Sequence, residues 1–383
     1  MTVPAMQDAA KGPLDDLTVI DFTTLAPGPL ASLMLSNAGA EVIKVERSGI
    51  GDEMRIYKDA FGDNGVTFAL LNAGKKSIAA DLKDNVSINE IKSLIKECDV
   101  VLEQFRPGVM SRLGLGYDDL SAINSRLIYC SITGFGQTGP KASVAAHDLN
   151  YVADTGMLAI GDTSSGKPSI PQLLAADLAA GSYPAVMNIL LALHRRVRTG
   201  RGCYIDVSMT DCLFPLMFWC LGLGWGTGDW PRYGNQLLTG GSPRYQVYAT
   251  ADGRYLAVAA LEDRFWDVFC TAIGFDRDSI DETAKPQDVV AAIQGIIQSK
   301  SSACWKETFV DKDACAVIAS TLEEAVGDAH YIARGVFDRK IRTDEGDIIN
   351  ALPMPFAECL MDSASIEKVV PALGEHNKLH GIS

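Results

Sequence analysis

Short apolar runs alternate with amphipathic stretches along the first part of the chain. Leu17–Phe22 and Glu41–Glu46 each have the composition of a buried strand. Between them, Pro27-Gly28-Pro29 opens a helical pattern that continues to about Asn37, and Gly39 ends it. A strand, a helix and a strand within about thirty residues form a βαβ unit. We therefore expect parallel strands joined by a right-handed crossover.

The same alternation continues as far as a long apolar helix. Further strands are predicted at Ser77–Leu82, Val100–Glu103, Leu127–Ile132 and Cys203–Val207. Helical patterns lie at about Ser87–Glu97, Val109–Leu113 and Tyr117–Ile123, and a longer one spans about Leu178–Thr199. This order of elements predicts an α/β fold with a Rossmann-like, doubly wound parallel sheet.

The rest of the chain has a different pattern. An apolar helix is predicted at about Thr210–Leu223, and Tyr245–Thr250 and Arg254–Ala260 flank an Asp-Gly turn that is typical of a hairpin. Residues 264–334 have a mainly helical pattern, so we predict a smaller α+β domain here. The expected segments are a large α/β domain (1–205), a linker helix and loop (206–235), a small domain (236–335) and a C-terminal segment returning to the large domain (336–383).

Composition narrows the class of protein. The chain of 383 residues has a formal net charge of −14, which disfavours nucleic-acid and membrane-surface partners. The first fifteen residues lack the apolar segment of a secretory signal, and Pro215, Gly222 and Gly224 interrupt the apolar run at 213–225. The 9 cysteines show no C-x-x-C spacing. We therefore expect free thiols, no metal site and a cytoplasmic location.

Basic side chains gather where the predicted strands of the first domain end. Arg47 follows the second strand, and Lys75 follows a turn at Asn72-Ala73-Gly74. Arg106 and Arg112 follow the strand predicted at Val100–Glu103. Ligands bind at this edge in open α/β sheets, and arginine and lysine there suit a phosphate-bearing ligand. Each of these residues is equally well explained as a solvated surface charge.

Three further residues have the side chains of an acid–base site. His147 precedes Asp177, which lies at the predicted start of the long helix, and Glu262 follows the second strand of the hairpin. Two bases of different kinds that face one substrate carbon could move a proton. Taken singly, the histidine is as well explained by a structural hydrogen bond, the aspartate by a helix N-cap and the glutamate by a surface position.

From Leu14 to about Phe265 the chain resembles the class III CoA-transferase family, also called the CaiB/BaiF family. The matching motifs are Pro27-Gly28-Pro29, Gly39–Arg47, Asn72 with Lys75-Lys76-Ser77, Phe105-Arg106-Pro107-Gly108 with Arg112-Leu113-Gly114, Gly134-Phe135-Gly136 and Thr199-Gly200-Arg201-Gly202. Within the family the sequence is most similar to the α-methylacyl-CoA racemase branch, because His147-Asp148-Leu149-Asn150-Tyr151 matches its His-Asp-x-Asn-Tyr motif. Ala176–Gly181 differs from that branch, which has glycines around the aspartate.

The resemblance implies acyl-CoA substrates and assigns roles to residues. His147, Asp177 and Glu262 fall on the catalytic residues, with the glutamate pairing with the histidine. Leu25 and Tyr245 fall among the residues that line the acyl site. The residues implied to bind the CoA moiety are Arg47, Leu71, Asn72, Lys75, Phe105, Arg106, Arg112 and Tyr151. No separate cofactor is implied, since coenzyme A is part of the substrate.

The resemblance also implies a reaction and an assembly. In the racemase reaction, His147 and Asp177 exchange the α-proton of a 2-methylacyl-CoA, and backbone N–H groups at the start of the helix after Asp177 hold the enolate oxygen. In the alternative reaction, CoA moves between carboxylic acids and Asp177 is the nucleophile. Family members are interlocked homodimers, so we expect a homodimer whose active sites combine residues of both chains.

Overall fold

The computed structural model describes residues 12–161, 167–276, 285–343, 345–362 and 367–382. The strands are β1 (Thr18–Asp21), β2 (Glu41–Arg47), β3 (Ala60–Phe61), β4 (Asn64–Gly65), β5 (Lys76–Ala80), β6 (Val100–Glu103), β7 (Ile128–Thr133), β8 (Cys203–Ser208), β9 (Tyr245–Ala249), β10 (Tyr255–Ala259), β11 (Ala316–Ile318), β12 (Lys340–Arg342), β13 (Ile348–Asn350) and β14 (Glu367–Val369).

The helices are α1 (Pro27–Asn37), α2 (Val66–Asn72), α3 (Asn85–Ile95), α4 (Val109–Arg112), α5 (Tyr117–Ile123), α6 (Asp148–Asp154), α7 (Met157–Ile160), α8 (Tyr183–Thr199), α9 (Met209–Leu213), α10 (Phe218–Thr227), α11 (Asp263–Ile273), α12 (Pro286–Ile297), α13 (Ser302–Thr308), α14 (Leu322–Val326) and α15 (Ala329–Ala333). Ala175–Ser182 is a π-helix, and short 3-10 helices lie at Glu53–Ile56, Phe214–Met217, Leu237–Thr239, Glu358–Leu360 and Lys378–His380.

Contacts divide the chain into two compact units. Among the described residues, the larger unit comprises 12–155, 172–216 and 330–382, and the smaller unit comprises 156–161, 167–171, 217–276 and 285–329.

A six-stranded sheet organises the larger unit. Its strand order is β5-β2-β1-β6-β7-β8, and every neighbouring pair is parallel. The predicted Rossmann-like, doubly wound parallel sheet is therefore confirmed. The order reverses between β1 and β6, which creates a topological switch point at the carboxyl ends of these two strands.

Helices cover the sheet on both faces, which explains why its central strands are apolar throughout. All residues of β6 and β7 are buried. Ile91 and Ile95 of α3 and Leu120 of α5 share one core with Ile20 and Val101 of the sheet. Helices α1 and α8 contact each other and also contact strands of the sheet.

The long helix predicted at Leu178–Thr199 starts earlier and has two geometries. The chain forms the π-helix at Ala175–Ser182 and continues as α8 from Tyr183. Pro184 has no N–H group to donate to the carbonyl four residues before it, and its ring clashes with that carbonyl, so a regular α-helical turn cannot pass through this point. Gly200, with φ of 68°, ends α8 in the left-handed conformation.

The apolar helix predicted at Thr210–Leu223 is interrupted. Helix α9 ends at Leu213, Phe214–Met217 is a 3-10 helix, and α10 then begins at Phe218. Pro215 accounts for the break, because it lacks the N–H that a continuous helix needs at this position.

The end of the chain adds a second, mixed sheet to the larger unit. Strand β12 pairs with β13 in antiparallel orientation and with β14 in parallel orientation. The amide of Asn377 accepts a hydrogen bond from Ala79 N–H at 2.8 Å and donates to the Ala79 carbonyl at 3.0 Å. These two hydrogen bonds to the backbone of β5 attach the C-terminal residues to the edge of the main sheet.

The smaller unit has an α+β structure. The predicted hairpin is present, since β9 and β10 pair in antiparallel orientation and Gly253 has a φ of 76° in the connecting turn. Strand β11 completes the sheet, in a stretch whose pattern is mainly helical. Trp266 and Phe269 of α11 pack with Ile293 of α12 and Trp305 of α13 in the core of this unit.

One helical stretch in the described part of the chain, Ala175–Thr199, is long and apolar enough to cross a membrane. The test considers only length and composition, and 44% of the most apolar window is buried inside the protein. A core helix of a globular protein passes the same test, so this stretch is weak evidence for a membrane span.

Candidate active site

His147 and Asp148 lie at the start of α6, against the π-helix. His147 is the N-cap residue, its backbone N–H donates to Asn150 Oδ1 at 3.0 Å, and its side chain is exposed. Asp148 is buried, and its Oδ1 accepts hydrogen bonds from the N–H groups of Ala176 (2.8 Å) and Asp177 (3.0 Å). The carboxylate of Asp148 therefore joins the residue after the histidine to the backbone of the candidate catalytic aspartate.

Asp177 is the third residue of the π-helix, and its side chain is half-buried. Such wide turns are rare and occur frequently at functional sites. The Ser182 hydroxyl donates to the Pro27 carbonyl at 2.6 Å, and a Cβ added to Gly181 would lie 3.1 Å from Met209 Sδ. The π-helix is thus packed closely against the start of α1 and against α9, and this packing fixes the backbone that carries Asp177.

The surroundings of Asp177 raise the pKa of its carboxyl group from the ordinary value of 3.8 to about 6. Burial is the largest cause, because it disfavours the charged form, and the negative charge of Asp148 adds to it. The positive charge of His147 acts in the opposite direction and lowers this pKa. The three side chains are therefore within electrostatic range of one another, and Asp177 titrates close to neutral pH.

The backbone N–H groups at the start of the π-helix already have acceptors within the protein. Those of Ala176 and Asp177 donate to Asp148, and that of Leu178 donates to the Leu174 carbonyl at 2.9 Å. We expected N–H groups of the helix after Asp177 to hold the enolate oxygen. Of these groups, that of Leu178 is taken by the Leu174 carbonyl in this structure.

Tyr151 lies one turn into α6, and its side chain is buried. Its hydroxyl donates to the Ala146 carbonyl at 2.8 Å, and a Cβ on Gly134 would lie 2.2 Å from its ring. Burial raises the pKa of Tyr151, as does the charge of Asp177, whereas the charge of Arg106 lowers it. Gly134 is thus required for close approach of the ring rather than for its backbone conformation.

Leu25 lies in the loop after β1, at the switch point of the sheet. Its φ of 59° is unusual for a residue with a side chain, so its surroundings must hold it in place. Its N–H donates to Asp52 Oδ1 at 3.4 Å. Lys44 pairs with Asp52 Oδ2 at 3.0 Å and donates to the Thr23 carbonyl at 2.6 Å. The fully buried ion pair of Lys44 and Asp52 therefore supports the loop that carries Leu25.

Three predicted CoA-binding arginines have exposed side chains near the carboxyl edge of the sheet. Arg47 ends β2, Arg106 follows β6, and Arg112 ends α4. Phe105, next to Arg106 in the sequence, and Leu71, at the end of α2, are half-buried. This placement suits contact with an anionic ligand, since guanidinium groups bind phosphate through paired hydrogen bonds.

Lys75 and Asn72 differ from the arginines because both are buried. The Lys75 ammonium group donates to Asn72 Oδ1 at 2.8 Å and to the Pro29 carbonyl at 2.9 Å, and it lies 3.5 Å from Asp21 Oδ2. Burial lowers the pKa of Lys75 to about 7. With these acceptors inside the protein, the ammonium group is not available to a CoA phosphate in this arrangement.

Glu262 and Tyr245 belong to the smaller unit. Glu262 is the N-cap residue of α11, its side chain is exposed, and it makes no capping hydrogen bond with that side chain. Tyr245 begins β9 and is 40% exposed. Both side chains are therefore accessible to a ligand or to another chain.

Asp148 is the site residue that residue-by-residue reasoning on the sequence missed. It was part of the motif His147-Asp148-Leu149-Asn150-Tyr151, but no role followed from the motif alone. Its burial directly after an exposed histidine could not be inferred without the fold.

Among the described residues, no group of three or more histidines, cysteines or acidic residues could hold a metal ion.

Comparison with known proteins places this chain in a family of CoA enzymes. The sequence model that describes CoA-transferase family III matches residues 14–377 of this chain. Human alpha-methylacyl-CoA racemase is 34% identical over 375 residues, which cover 95% of this chain and 91% of that protein. The succinyl-CoA:glutarate CoA-transferase of Mus musculus is 31% identical over 382 residues, which cover 96% of this chain and 85% of that protein.

A solved structure supports the same relationship. A crystal structure of a CaiB/BaiF family protein from Brucella suis has a TM-score of 0.81 at 28% identity, over 97% of this chain and 98% of that chain. The chain therefore belongs to CoA-transferase family III. Its relatives include racemases and transferases, so membership defines an enzyme of this family and does not choose between the two reactions.

Proposed function

We propose that this protein is an α-methylacyl-CoA racemase, which epimerises 2-methylacyl-CoA thioesters. The observation that carries the proposal is the proximity of His147 to Asp177, whose carboxyl group has its pKa raised to about 6. Proton exchange at one carbon requires an acid and a base that face it from opposite sides, and His147 and Asp177 are side chains of the two kinds. The similarity to human alpha-methylacyl-CoA racemase supports this choice within the family.

In the proposed reaction, His147 takes the α-proton from one face of the thioester and leaves an enolate. Asp177, which is protonated before this step, returns a proton to the opposite face. The product has the inverted configuration, and proton exchange with water restores both side chains. For the other enantiomer, Asp177 is the base and His147 is the acid. A pKa of about 6 lets Asp177 serve in both directions, because both of its forms are populated near neutral pH.

The CoA moiety is proposed to bind at the carboxyl edge of the main sheet. The net charge of −14 repels an anionic ligand, so local cations are needed to hold it. Arg47, Arg106 and Arg112 supply them, and Leu71 and Phe105 provide apolar contacts beside them. Tyr151 is proposed to lie along the path from these arginines to Asp177, since the charges of both Arg106 and Asp177 influence its pKa.

The enzyme is proposed to act as a homodimer. Helix α8 has an apolar stripe at helical spacing whose side chains are 41–62% exposed, formed by Tyr183, Met187, Leu190 and Leu191. A continuous exposed apolar surface of this kind is typical of an interface between chains. We further propose that Glu262 orients His147 across that dimer.

Complementation between two variants tests the role of Glu262. The variants Asp177→Asn and Glu262→Gln would each be inactive alone. If Glu262 acts on the partner's site, co-expressed chains form heterodimers that have one intact site, and about a quarter of wild-type activity returns. If purified heterodimers are as inactive as the single variants, Glu262 does not act across the dimer.

A second function, CoA transfer between carboxylic acids, is favoured by one observation. With a pKa of about 6, Asp177 is mainly ionised at neutral pH and could attack the thioester. The carboxylate would attack the thioester carbonyl, form a mixed anhydride and release CoA as the thiolate. The thiolate would then attack the aspartyl carbonyl of the anhydride, which gives an aspartyl-CoA thioester and releases the donor acid as its carboxylate. The family relationship with succinyl-CoA:glutarate CoA-transferase makes this the alternative to test.

Deuterium incorporation separates the two reactions. A single enantiomer of a 2-methylacyl-CoA is incubated with the protein in deuterated buffer, without an acceptor acid, and followed by NMR. The racemase proposal predicts deuterium at the α-carbon with loss of optical purity. Absence of exchange, together with CoA transfer to an added carboxylic acid, would overturn it.

The variant His147→Ala provides a second test, with His330→Ala, at an exposed histidine on α15, as the matched control. Loss of the acid–base group should lower the exchange rate by about 10²–10⁴-fold. The control should keep wild-type exchange. A His147→Ala protein that folds and exchanges at the wild-type rate would remove the histidine from the mechanism.

A further inference from the structure

Gln104 lies at the topological switch point of the main sheet, between β6 and the Phe105–Arg106 segment. Its side-chain Nε2 donates to the Thr24 carbonyl at 2.7 Å, and its Oε1 accepts from Gly28 N–H at 3.2 Å. The two bonds reach across the switch point to the middle of the loop that follows β1 and to the first turn of α1. One side chain therefore ties together the two loops between which ligands bind in sheets of this type.

The loop that Gln104 contacts is also held by Lys44, which donates to the Thr23 carbonyl, and by Asp52, which accepts from the Leu25 N–H. Helix α1 has Ala26 as its N-cap residue, which offers no side-chain acceptor, and Pro27 and Pro29 have no N–H groups. Since the N–H of Leu30 donates to the Ala26 carbonyl, the N–H of Gly28 is the one in this first turn that needs an acceptor from outside the helix. Gln104 takes the N–H of Gly28. Its other bond holds Thr24, directly before Leu25, whose φ of 59° must be maintained by its neighbours.

The same loop is connected to the candidate catalytic aspartate. The Ser182 hydroxyl donates to the Pro27 carbonyl at 2.6 Å and lies 3.3 Å from the Asp177 carbonyl oxygen. Ser182 is completely buried, so water cannot replace these contacts. A continuous series of contacts thus runs from the segment of Arg106, through Gln104 and the loop after β1, to Ser182 and the turn of Asp177.

We propose that Gln104 is a positioning residue that, with Ser182, holds the acyl carbon of the substrate in register with Asp177. The proposal rests on the proposed function, in which Arg106 grips the CoA moiety and Asp177 acts at the α-carbon. The loop after β1, which connects to both segments, sets the distance between the Arg106 guanidinium group and the Asp177 carboxylate. Without Gln104, CoA would still bind at the arginines, while the α-carbon would be misplaced relative to Asp177.

The test compares variants that remove the connection without touching the arginines or the aspartate. Gln104→Leu removes both bonds, Gln104→Glu keeps the acceptor for Gly28 and loses the donor to Thr24, and Ser182→Ala removes the second connection. We expect kcat for α-proton exchange to fall by about 10–100-fold in Gln104→Leu and Ser182→Ala, with KM changed by less than about threefold. Gln104→Glu should lie between these and wild type.

Gln294 in the smaller unit provides a matched control. Its amide also makes two backbone bonds, donating to the Ala249 carbonyl at 2.9 Å and accepting from Ala249 N–H at 2.9 Å. Gln294→Leu should lower Tm as Gln104→Leu does and leave kcat unchanged. The double variant Gln104→Leu/Ser182→Ala should be no slower than the slower single variant, because both substitutions break the same connection.

The outcomes separate this inference from the proposed function. If wild type exchanges the α-proton and Gln104→Leu loses Tm without loss of kcat, like Gln294→Leu, the positioning role is overturned and the racemase stands. If wild type transfers CoA instead, the same kcat and KM comparison is made on transfer, since Asp177 is the reacting group there as well. If Gln104→Leu does not fold, the readings on Gln104→Glu and Ser182→Ala decide, and wild-type kcat in both would overturn the role.

Discussion

Replacing Asp148 with asparagine changes the charge beside Asp177 while preserving its hydrogen bonds. Asparagine Oδ1 can still accept the N–H groups of Ala176 and Asp177, so the π-helix keeps its support. The negative charge that disfavours ionisation of Asp177 is removed. The pKa of Asp177 should therefore fall in Asp148→Asn.

The size of this shift follows from the causes of the raised pKa. The total rise is from 3.8 to about 6, with burial as the largest cause and Asp148 as the next. Because burial persists in Asp148→Asn, we expect the pKa to fall by on the order of 1 pH unit rather than by the whole rise. A change of one unit is about a tenfold change in the ratio of protonated to ionised carboxyl group.

The assay is the pH dependence of α-deuterium exchange, measured as kcat/KM for each enantiomer. Where Asp177 is the base, activity is lost as the pH falls through about 6 in wild type, and this limb should move to lower pH in the variant. Where Asp177 is the acid, activity is lost as the pH rises, and that limb should move in the same direction. Asp154→Asn, on the same helix but paired with Lys141, is the control. A limb that stays in place or moves to higher pH would refute the coupling.

Two further predictions concern stability. Gly134→Ala would place a Cβ 2.2 Å from the ring of Tyr151, and such overpacking typically costs about 1–3 kcal/mol, so Tm and exchange activity should both fall. Gly222→Ala in α10, whose Cβ would meet no atom within 4 Å beyond the neighbouring backbone of its own helix, should lower neither. Asp252 has its pKa held below the ordinary value by bonds from Thr250 and Ser302, so Asp252→Ala should lower Tm at neutral pH. A carboxyl group with a depressed pKa stabilises the fold at pH values above the pKa that it has in the unfolded chain. The difference in Tm between wild type and Asp252→Ala should therefore shrink as the pH falls below 3.8. A difference that stays constant from pH 7 to 3 would contradict this account.

The fold class was accessible from sequence because it depends on local pattern. The apolar runs of β1, β2, β6 and β7 and the helical spacing of α1, α3 and α5 lie within a residue or two of the predicted bounds. Parallel strands buried on both faces need such runs, and crossovers between them have one favoured hand. Short pieces whose stability comes from distant contacts, such as β3, β4 and β12–β14, had no comparable local signal.

Family membership was accessible for a different reason. Glycines, prolines and arginines at fixed spacings mark the loops of the sheet edge, and these motifs identify CoA-transferase family III without any coordinates. They do not report whether a side chain faces outwards. Lys75 illustrates this, since its motif suggested a phosphate contact and its ammonium group is enclosed by Asn72, Pro29 and Asp21.

The sequence by itself determined the α/β class and the doubly wound pattern, and it singled out candidate residues for an acid–base site. Only the tertiary structure decided what surrounds those residues. That Asp148 caps the turn of Asp177 and raises its pKa, and that Gln104 and Ser182 connect that turn to the switch point, depends on contacts between residues 28 to 155 positions apart. A pKa and a hydrogen-bond partner are set by burial and distance, which the periodicity of a single segment does not contain.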